Sequence, residues 1–434
     1  MVMTNRFFDV EDYPREIPRR VYASYDQHAD GRILFEAIDA AWFDEFMGDG
    51  GNAERWLETA SGAPLSVLDT PSDIYQRANL APPSSDDEDD DGPTEWVQID
   101  IDAGGDDVIL YAGLFAEGIR VGFSKVSAVP ARVSASLSAA FDLAPHVAPE
   151  QKIRFALAGL SAAIEWVAVY DVGQGSANGL CDAAAMPLAY FDLGGGVLAN
   201  TSSFPSTLTN ICLTHKPPII LSHWDWDHWS SGLRFSQATS MTWLAPNQKL
   251  GAVHSALATL IVKNGQLLIW PAGLTGLTIG QVTLEKCTGV KGRNNTGLAT
   301  LVDGPPGEKP ILLTGDARYS VIPSGLADCH AVVVPHHGAD MRNKATPTCV
   351  GHVASRAAYS YGAGNTFAHP RSTTYDNHHA NMWPHRHKNP ATPIDRHTPD
   401  LRPAAGHIGL SWSATAPLPK LACPGFCSLA LAQR

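Results

Sequence analysis

One string constrains this chain more than any other: Pro218-Ile-Ile-Leu-Ser222 followed by His223-Trp224-Asp225-Trp226-Asp227-His228. A short apolar run that ends in four potential metal ligands reads as a buried strand delivering its chemistry to one edge of a sheet. Further apolar runs behave in the same way, each ending in Asp, His or Gly: residues 166–175, 188–196, 310–316, 331–338 and 357–365. Segments of variable length separate them, which predicts a layered α/β architecture. His223 and Asp225 can turn toward one ion, and Asp227 and His228 toward a second beside it. Mixed histidine and carboxylate donors suit zinc, iron or manganese.

The chain of 434 residues is long enough for two or three domains, and 44% hydrophobic against 17% charged residues is a globular balance. Its formal net charge is −13, which excludes a chain coated in basic residues for nucleic-acid binding but not a local basic groove. Residues 291–434 carry 14 Lys and Arg against 8 Asp and Glu, whereas residues 1–290 carry −19. That basic excess, with Arg318, Arg342, Lys344, Arg356, Arg371, Arg386 and Lys388, suits a phosphate-bearing substrate; an ordinary charged surface is the alternative.

Seven scattered cysteines suit reduced thiols better than a disulfide framework. No run reaches the ~20 apolar residues of a spanning helix, and the N-terminus lacks the apolar stretch of a signal peptide. The expectation is a cytoplasmic protein with no membrane partner. Neither a phosphate-binding G-x-x-x-x-G-K-[ST] loop nor a G-x-S-x-G elbow is present.

Residues 1–164 hold no chemical constellation and read as an accessory α+β region. An acidic, proline-bounded linker interrupts it at 82–93, six of whose residues form Asp86–Asp91. Within it, Arg32–Ala60 reads as helical, with Leu34, Phe35, Ile38, Trp42 and Phe46 on one face. Residues 95–102, 108–112 and 119–126 read as strands, and 131–143 and 150–163 as helices. In an alternative reading this region is a partner-binding module that delivers the rest of the chain to a complex, for instance in a defence or toxin system. Residues 165–434 form the second domain. The histidine-rich stretch His369–His407 fits no zinc spacing and reads as a lid or a solvated loop.

The motifs, taken together, resemble the metallo-β-lactamase fold. His223–His228 is similar to its H-x-H-x-D-H signature in an H-x-D-x-D-H variant. In order along the chain, Asp171-Val-Gly-Gln-Gly175, Phe191-Asp192-Leu-Gly194, Leu313-Thr-Gly-Asp316, Val334-Pro-His-His-Gly338 and Asn365-x-x-x-His369-Pro370 resemble the metallo-β-lactamase-like domain of ComEC-type DNA-uptake proteins. The likeness covers about residues 165–415. It departs at Ser176, where an aspartate is usual, and where the common fold has another metal-binding histidine; here that neighbourhood reads Arg293-Asn294-Asn295-Thr296. The membrane channel of the uptake proteins is missing from the motifs, so transport is not implied.

The resemblance implies an αββα sandwich holding two divalent ions, zinc or manganese. Asp316, at a strand end, is the candidate bridge between them, and His336 is implied to complete the second position with Asp227 and His228, His337 being the alternative. Asp171 and Asp192 are candidates for orienting ligand histidines or for capping turns, and Asn295 for a supporting or alternative ligand. His369 is placed to protonate a leaving group or grip a phosphate oxygen, beside Asn365 and Arg371. Trp224 and Trp226 either stack substrate bases or pack in the core. The implied reaction is hydrolysis of a phosphodiester in nucleic acid by metal-activated water, with Asp227 and His369 catalytic. A small-molecule hydrolase acting on a cyclic nucleotide, phosphocholine ester or lactone is the alternative, favoured by a narrow pocket walled by Trp224 and Trp226.

Overall fold

The computed structural model of the chain describes residues 4–10, 16–29, 31–77, 96–341, 345–388, 390–391, 394–419 and 427–434. The acidic linker at 82–93 lies outside them, as do Arg342 and Lys344. The chain divides into two compact units: residues 1–146 with 248–266, and residues 147–247 with 267–434. The division therefore precedes the 164/165 boundary read from the sequence, and one internal segment of the second half belongs with the first unit.

The first unit is built on a closed six-stranded barrel of β1 (Arg20–Ala29), β2 (Arg32–Asp39), β3 (Leu65–Pro71), β4 (Trp96–Asp102), β5 (Val108–Tyr111) and β6 (Ile119–Ala128) in the order β1-β2-β3-β5-β6-β4. Alternate residues such as Val21, Ala23, Ile33, Phe35, Val97 and Ile99 fill its interior, as the two-residue strand period requires. The helix read over Arg32–Ala60 is corrected here. Its first third is β2, and the helix begins at Ala40, where Asp39 accepts a hydrogen bond from the Trp42 N–H at 2.8 Å. Leu34, Phe35 and Ile38 match both periods over so short a window, and the cap decides where the period changes. Glu36 points away from the barrel interior and accepts the Val253 and His254 N–H groups at 2.7 and 2.9 Å. A carboxylate on the first turn of the helix Ala252–Asn264 satisfies backbone donors that would otherwise be orphaned. This contact ties 248–266 to the barrel.

The second unit carries two seven-stranded sheets. The first is formed by β7 (Trp166–Val169), β8 (Ala177–Cys181), β9 (Pro187–Leu193), β10 (Ile219–Ile220), β11 (Thr242–Ala245), β12 (Gln266–Ile269) and β20 (Ile408–Leu410), in the order β12-β11-β10-β9-β8-β7-β20. The second contains β13 (Gly276–Ile279), β14 (Val282–Lys286), β15 (Leu298–Val302), β16 (Ile311–Leu313), β17 (Ala331–Val333), β18 (Arg356–Tyr359) and β19 (Asp395–His397) in sequence order. Val167, Phe191 and Ile220 of the first sheet share one core with Leu284, Leu313 and Val333 of the second, so the sheets pack face to face. On the outer face of the second sheet, Leu312, Val332 and Tyr359 pack with Trp383 and with Tyr375 of the helix Ser372–Ala380. On the first sheet, Gly232 of the helix Ser231–Arg234 lies against Trp243. The unit is an αββα sandwich.

The parallel pairings position the site. Phe191 of β9 is level with Ile220 of β10, and Leu313 of β16 with Val333 of β17. The residues that follow each strand therefore emerge side by side at one edge.

The histidine-rich stretch is not a solvated lid: His378, His385, His397 and His407 are all buried. His378 donates from Nδ1 to the Thr374 carbonyl at 2.8 Å and accepts the Tyr319 hydroxyl at Nε2 at 2.9 Å, a pattern only the neutral ring satisfies. Burial lowers its pKa to about 4. Because the unfolded chain binds this proton from about pH 6.5 and the folded one only near 4, the contribution is present above 6.5 and is lost as pH falls toward 4. Between pH 7 and pH 4.5 the wild type should lose about 2–3 kcal/mol more unfolding free energy than His378→Gln in denaturant titrations. Equal losses would refute this. Cys427 is disulfide-bonded, which corrects the expectation of reduced thiols at that position; Cys181, Cys212, Cys287, Cys329 and Cys349 are free and buried.

Candidate metal centre

The strand ends bring together His223 and His228 after β10, Asp316 after β16, and His336 and His337 after β17, with Asp225 and Asp227 in the intervening turn. Nε2 of His228 lies 3.0 Å from Asp316 Oδ1 and 3.8 Å from Asp227 Oδ1. Nε2 of His337 is 3.1 Å from Asp227 Oδ2 and 3.8 Å from Asp316 Oδ1. Facing the other oxygen of Asp316, His223 Nε2 lies 3.9 Å from Oδ2, and 3.2 Å from Asp225 Oδ2. Two sets of donors thus converge, His223, His228 and Asp316 in one and Asp227, His228 and His337 in the other, with the two oxygens of Asp316 turned toward different neighbours.

The supporting hydrogen bonds fix which ring nitrogens point inward. Asp192, whose backbone sits in the left-handed region at φ 60°, accepts the Ser222 N–H at 2.7 Å, the Ser222 hydroxyl at 2.9 Å and His228 Nδ1–H at 2.9 Å. Ser222 has one hydroxyl hydrogen, and the carboxylate takes it. Its lone pair is then available to His223 Nδ1–H at 2.9 Å. His337 Nδ1–H donates to the Ser360 carbonyl at 2.8 Å. In each case the outer nitrogen carries a hydrogen, which leaves Nε2 as the inward-facing atom whose lone pair a cation would take. Nε2 of His223, His228 and His337 and Oδ1 of Asp316 are buried without a hydrogen bond, an arrangement costly for polar atoms unless a cation receives them.

Charge points the same way. Burial opposes ionisation of Asp316, but His228, His336 and His337 outweigh it and hold the carboxyl well below its usual range. Burial likewise opposes protonation of His228, and Asp316 and Asp192 outweigh it, so the ring retains a proton well above the ordinary histidine value. The negative surplus that retains a proton there would retain a divalent cation. These residues fit such an ion.

The turn carrying Asp225–His228 is clamped from behind by the two glycine motifs. The Asp227 carbonyl accepts the Ser176 N–H at 3.0 Å and the Gly195 N–H at 3.1 Å. A Cβ on Gly194 would lie 1.5 Å from that carbonyl oxygen, so only glycine permits the approach. Ser176, the departure from the family pattern, contributes its backbone to this clamp.

Several expectations are corrected. The ring placed with Asp227 and His228 is His337, the alternative, while His336, with 17% of its side chain exposed, faces Asp316 Oδ2 at 3.6 Å. Adjacent left-handed backbone angles at His336 and His337 (φ 49° and 55°) turn the two rings in different directions. Asp171 orients no ligand. Its fully buried carboxylate is held by Arg402 in a two-pronged ion pair, with Nε 3.1 Å from Oδ2. The side-chain oxygen of Asn295 accepts the Arg318 N–H at 3.2 Å and so braces the turn after Asp316 rather than offering a ligand. Trp224 and Trp226 are 0% and 2% exposed, and Trp224 donates to the Pro246 carbonyl, so these rings pack under the turn and present no face to a base.

His369 is buried with Nδ1 lacking a hydrogen bond, and its ring lies 5.5 Å from that of His336. Burial, followed by repulsion from His336, His337 and Arg371, holds it neutral. Asn365 shapes its loop, accepting the His369 N–H at 3.0 Å and donating to its carbonyl at 2.7 Å. Arg371 follows, its N–H on the Gly338 carbonyl at 2.8 Å. Of the other basic residues, Arg386 is committed to Asp395 and Asp400, Lys388 to Asp376, and Arg356 to carbonyl groups. The basic excess read from the sequence is therefore partly consumed. His385, Asp395 and His397 also cluster, but Arg386 and His397 saturate Asp395 Oδ2 at 2.9 and 2.7 Å, and Tyr361 covers His397 Nδ1 at 3.0 Å. Asp395 is thus engaged by Arg386 and His397, while His385 Nε2 stands 3.3 Å from it without a hydrogen bond. Sequence reading missed Ser222, Ser360, Arg293 and Arg402: each lay inside a stretch already singled out, but nothing local distinguished it from its neighbours.

No family model matches the chain, and no curated protein matches it. Among solved structures it is similar to a protein from Thermotoga maritima described as a candidate metallo-beta-lactamase. That match has 13% identity and a TM-score of 0.24, and it covers 35% of this chain and 79% of the other. Another is Zn(2+)-bound PqqB from Methylobacterium extorquens, with 9% identity and a TM-score of 0.27 over 37% of this chain and 60% of that one. Superpositions so partial carry no argument about chemistry. The class rests on the molecule itself: an αββα sandwich whose strand ends gather histidine and aspartate side chains fit to hold a divalent metal.

Proposed function

We propose that this chain is a metal-dependent hydrolase of phosphodiesters, with nucleic acid as the first substrate to test. The observation that carries the reading is the placement of Asp316, whose two oxygens face different sets of inward-pointing imidazoles. His223, Asp225, Asp227, His228, His337 and Asp316 would hold divalent metal, zinc or manganese. When bound, such ions supply a water whose pKa is lowered toward ~7 and a positive charge on the attacked group. A phosphodiester, which is itself anionic, gains most from that charge.

The chain's own residues supply the remainder. Asp192 and Ser222 hold His228 and His223 in the tautomers that face inward. His369, kept neutral, is suited to donating a hydrogen bond to a phosphoryl oxygen, and protonating a leaving group would require it to gain a proton first. Arg371 offers charge from the segment that follows His369, where its N–H meets the Gly338 carbonyl. Trp224 and Trp226 build no narrow aromatic pocket, which removes the feature that favoured a small-molecule substrate. Among the described residues no helix is long and apolar enough to cross a membrane.

The test is cleavage of labelled single- and double-stranded DNA by protein loaded with Mn²⁺ or Zn²⁺. Cleavage should vanish on chelation and return with added metal. Protein confirmed to hold metal that leaves both DNA forms and a generic phosphodiester intact would remove the reading.

A further inference from the structure

The two donor sets are not equivalent, and the difference lies in Arg293. This residue opens the short helix Arg293–Thr296, is 8% exposed, and places Nε 3.2 Å from Asp225 Oδ1. Asp225 Oδ2 lies 3.2 Å from His223 Nε2. A carboxylate beside the first donor set, against His223, therefore shares its charge with a guanidinium inside the wall of the site. By contrast, Asp227 is paired with no arginine among the described residues; its oxygens face His228 and His337.

A guanidinium does not lose its proton in a protein, so it is a permanent cation. Placed against a ligand carboxylate in a dry site it acts twice. It withdraws Asp225 from an incoming ion, and it repels that ion across a medium that screens poorly. At the second set, Asp227, His228, His337 and Asp316 supply two carboxylates and two imidazoles, and among the described residues no arginine or lysine pairs with either carboxylate.

We propose that the centre is asymmetric by construction: one divalent ion resides at Asp227, His228, His337 and Asp316, and at the neighbouring position the Arg293 guanidinium serves as the counter-ion of Asp225 in place of a second metal ion. This deepens the metal-dependent reading and rests on it. Arg293 then offsets the charge of Asp225 that a second ion would otherwise offset. It is a positioning residue for Asp225 and not a metal ligand.

Mn²⁺ binding to the full chain, measured by calorimetry and by elemental analysis after dialysis, tests the asymmetry without reference to turnover. Wild-type protein should retain one equivalent, with any second ion bound on the order of 100-fold more weakly. Arg293→Lys keeps the charge and should behave as wild type. Arg293→Ala and the bulkier, neutral Arg293→Gln should each tighten the second equivalent at least about tenfold, because Asp225 is released. Two copies serve because either variant alone could lose stability when a buried carboxylate is left unpaired. Two wild-type equivalents within about tenfold of one another, or a second affinity unchanged in a folded neutral variant, would overturn the proposal. Two equal ions with DNA cleavage would sink the asymmetry and leave the function standing. One tight ion with no phosphodiester cleavage would support the asymmetry and sink the substrate class.

Discussion

Asp316→Ala should strip the protein of bound metal, to below about 0.1 equivalents after dialysis, and lower any phosphodiester hydrolysis by about 1000-fold or more, roughly 4 kcal/mol of barrier. The size of the effect follows from position. Among the described residues Asp316 is the carboxylate that approaches all four inward-facing imidazoles, its two oxygens lying between 3.0 and 3.9 Å from His228, His337, His223 and His336. Asp316→Asn, which preserves shape and removes charge, should lose most of the metal as well. Elemental analysis with a circular-dichroism melt on the same sample separates loss of ligand from loss of fold. A folded Asp316→Ala protein that keeps its full metal content would mean that the imidazoles and Asp227 suffice, and the bridging role would fall.

Arg402→Ala should destabilise the second unit by about 3–5 kcal/mol, the range for removing one partner of a buried ion pair. Asp171 is fully buried, and Arg402 grips both of its oxygens while donating from Nη1 to the Ser203 carbonyl at 2.7 Å. Without the guanidinium a charge remains in the interior with a single weak contact, the Gly173 N–H at 3.4 Å. Denaturant titration of Arg402→Ala, Asp171→Asn and the double variant makes the test. The double variant should be more stable than Arg402→Ala alone, because the stranded charge is the source of the cost. If Arg402→Ala costs less than about 1 kcal/mol, solvent reaches Asp171 and the pair is not structural.

Six apolar runs with polar ends were legible because buried strands must be apolar along their length, and each of them became a strand of the sandwich. His223–His228 was legible for the same reason, since few structures tolerate four such groups after a buried run unless they share a ligand. What failed did so where two physical demands overlap within one short window. Arg32–Asp39 satisfied helical and strand periods together, and the Asp39 cap settled the matter. Asp171 and Asp192 looked alike as aspartates after strands, yet one meets Arg402 and the other meets Ser222 and His228, partners that lie at distances along the chain no spacing reveals. The tryptophans were ambiguous because a large ring beside a site is equally at home beneath it.

By itself, then, the sequence determined the α/β layering, the edge at which the chemistry lies, and the residue types gathered there, because burial and ligand chemistry are written locally. Which ring of His336 and His337 joins Asp227, which nitrogen of each imidazole faces inward, and that Arg293 sits on Asp225 were decided only by the tertiary structure. Those outcomes depend on register between parallel strands and on backbone turns, which bring together groups from β9, β10, β16 and β17 that no local pattern connects.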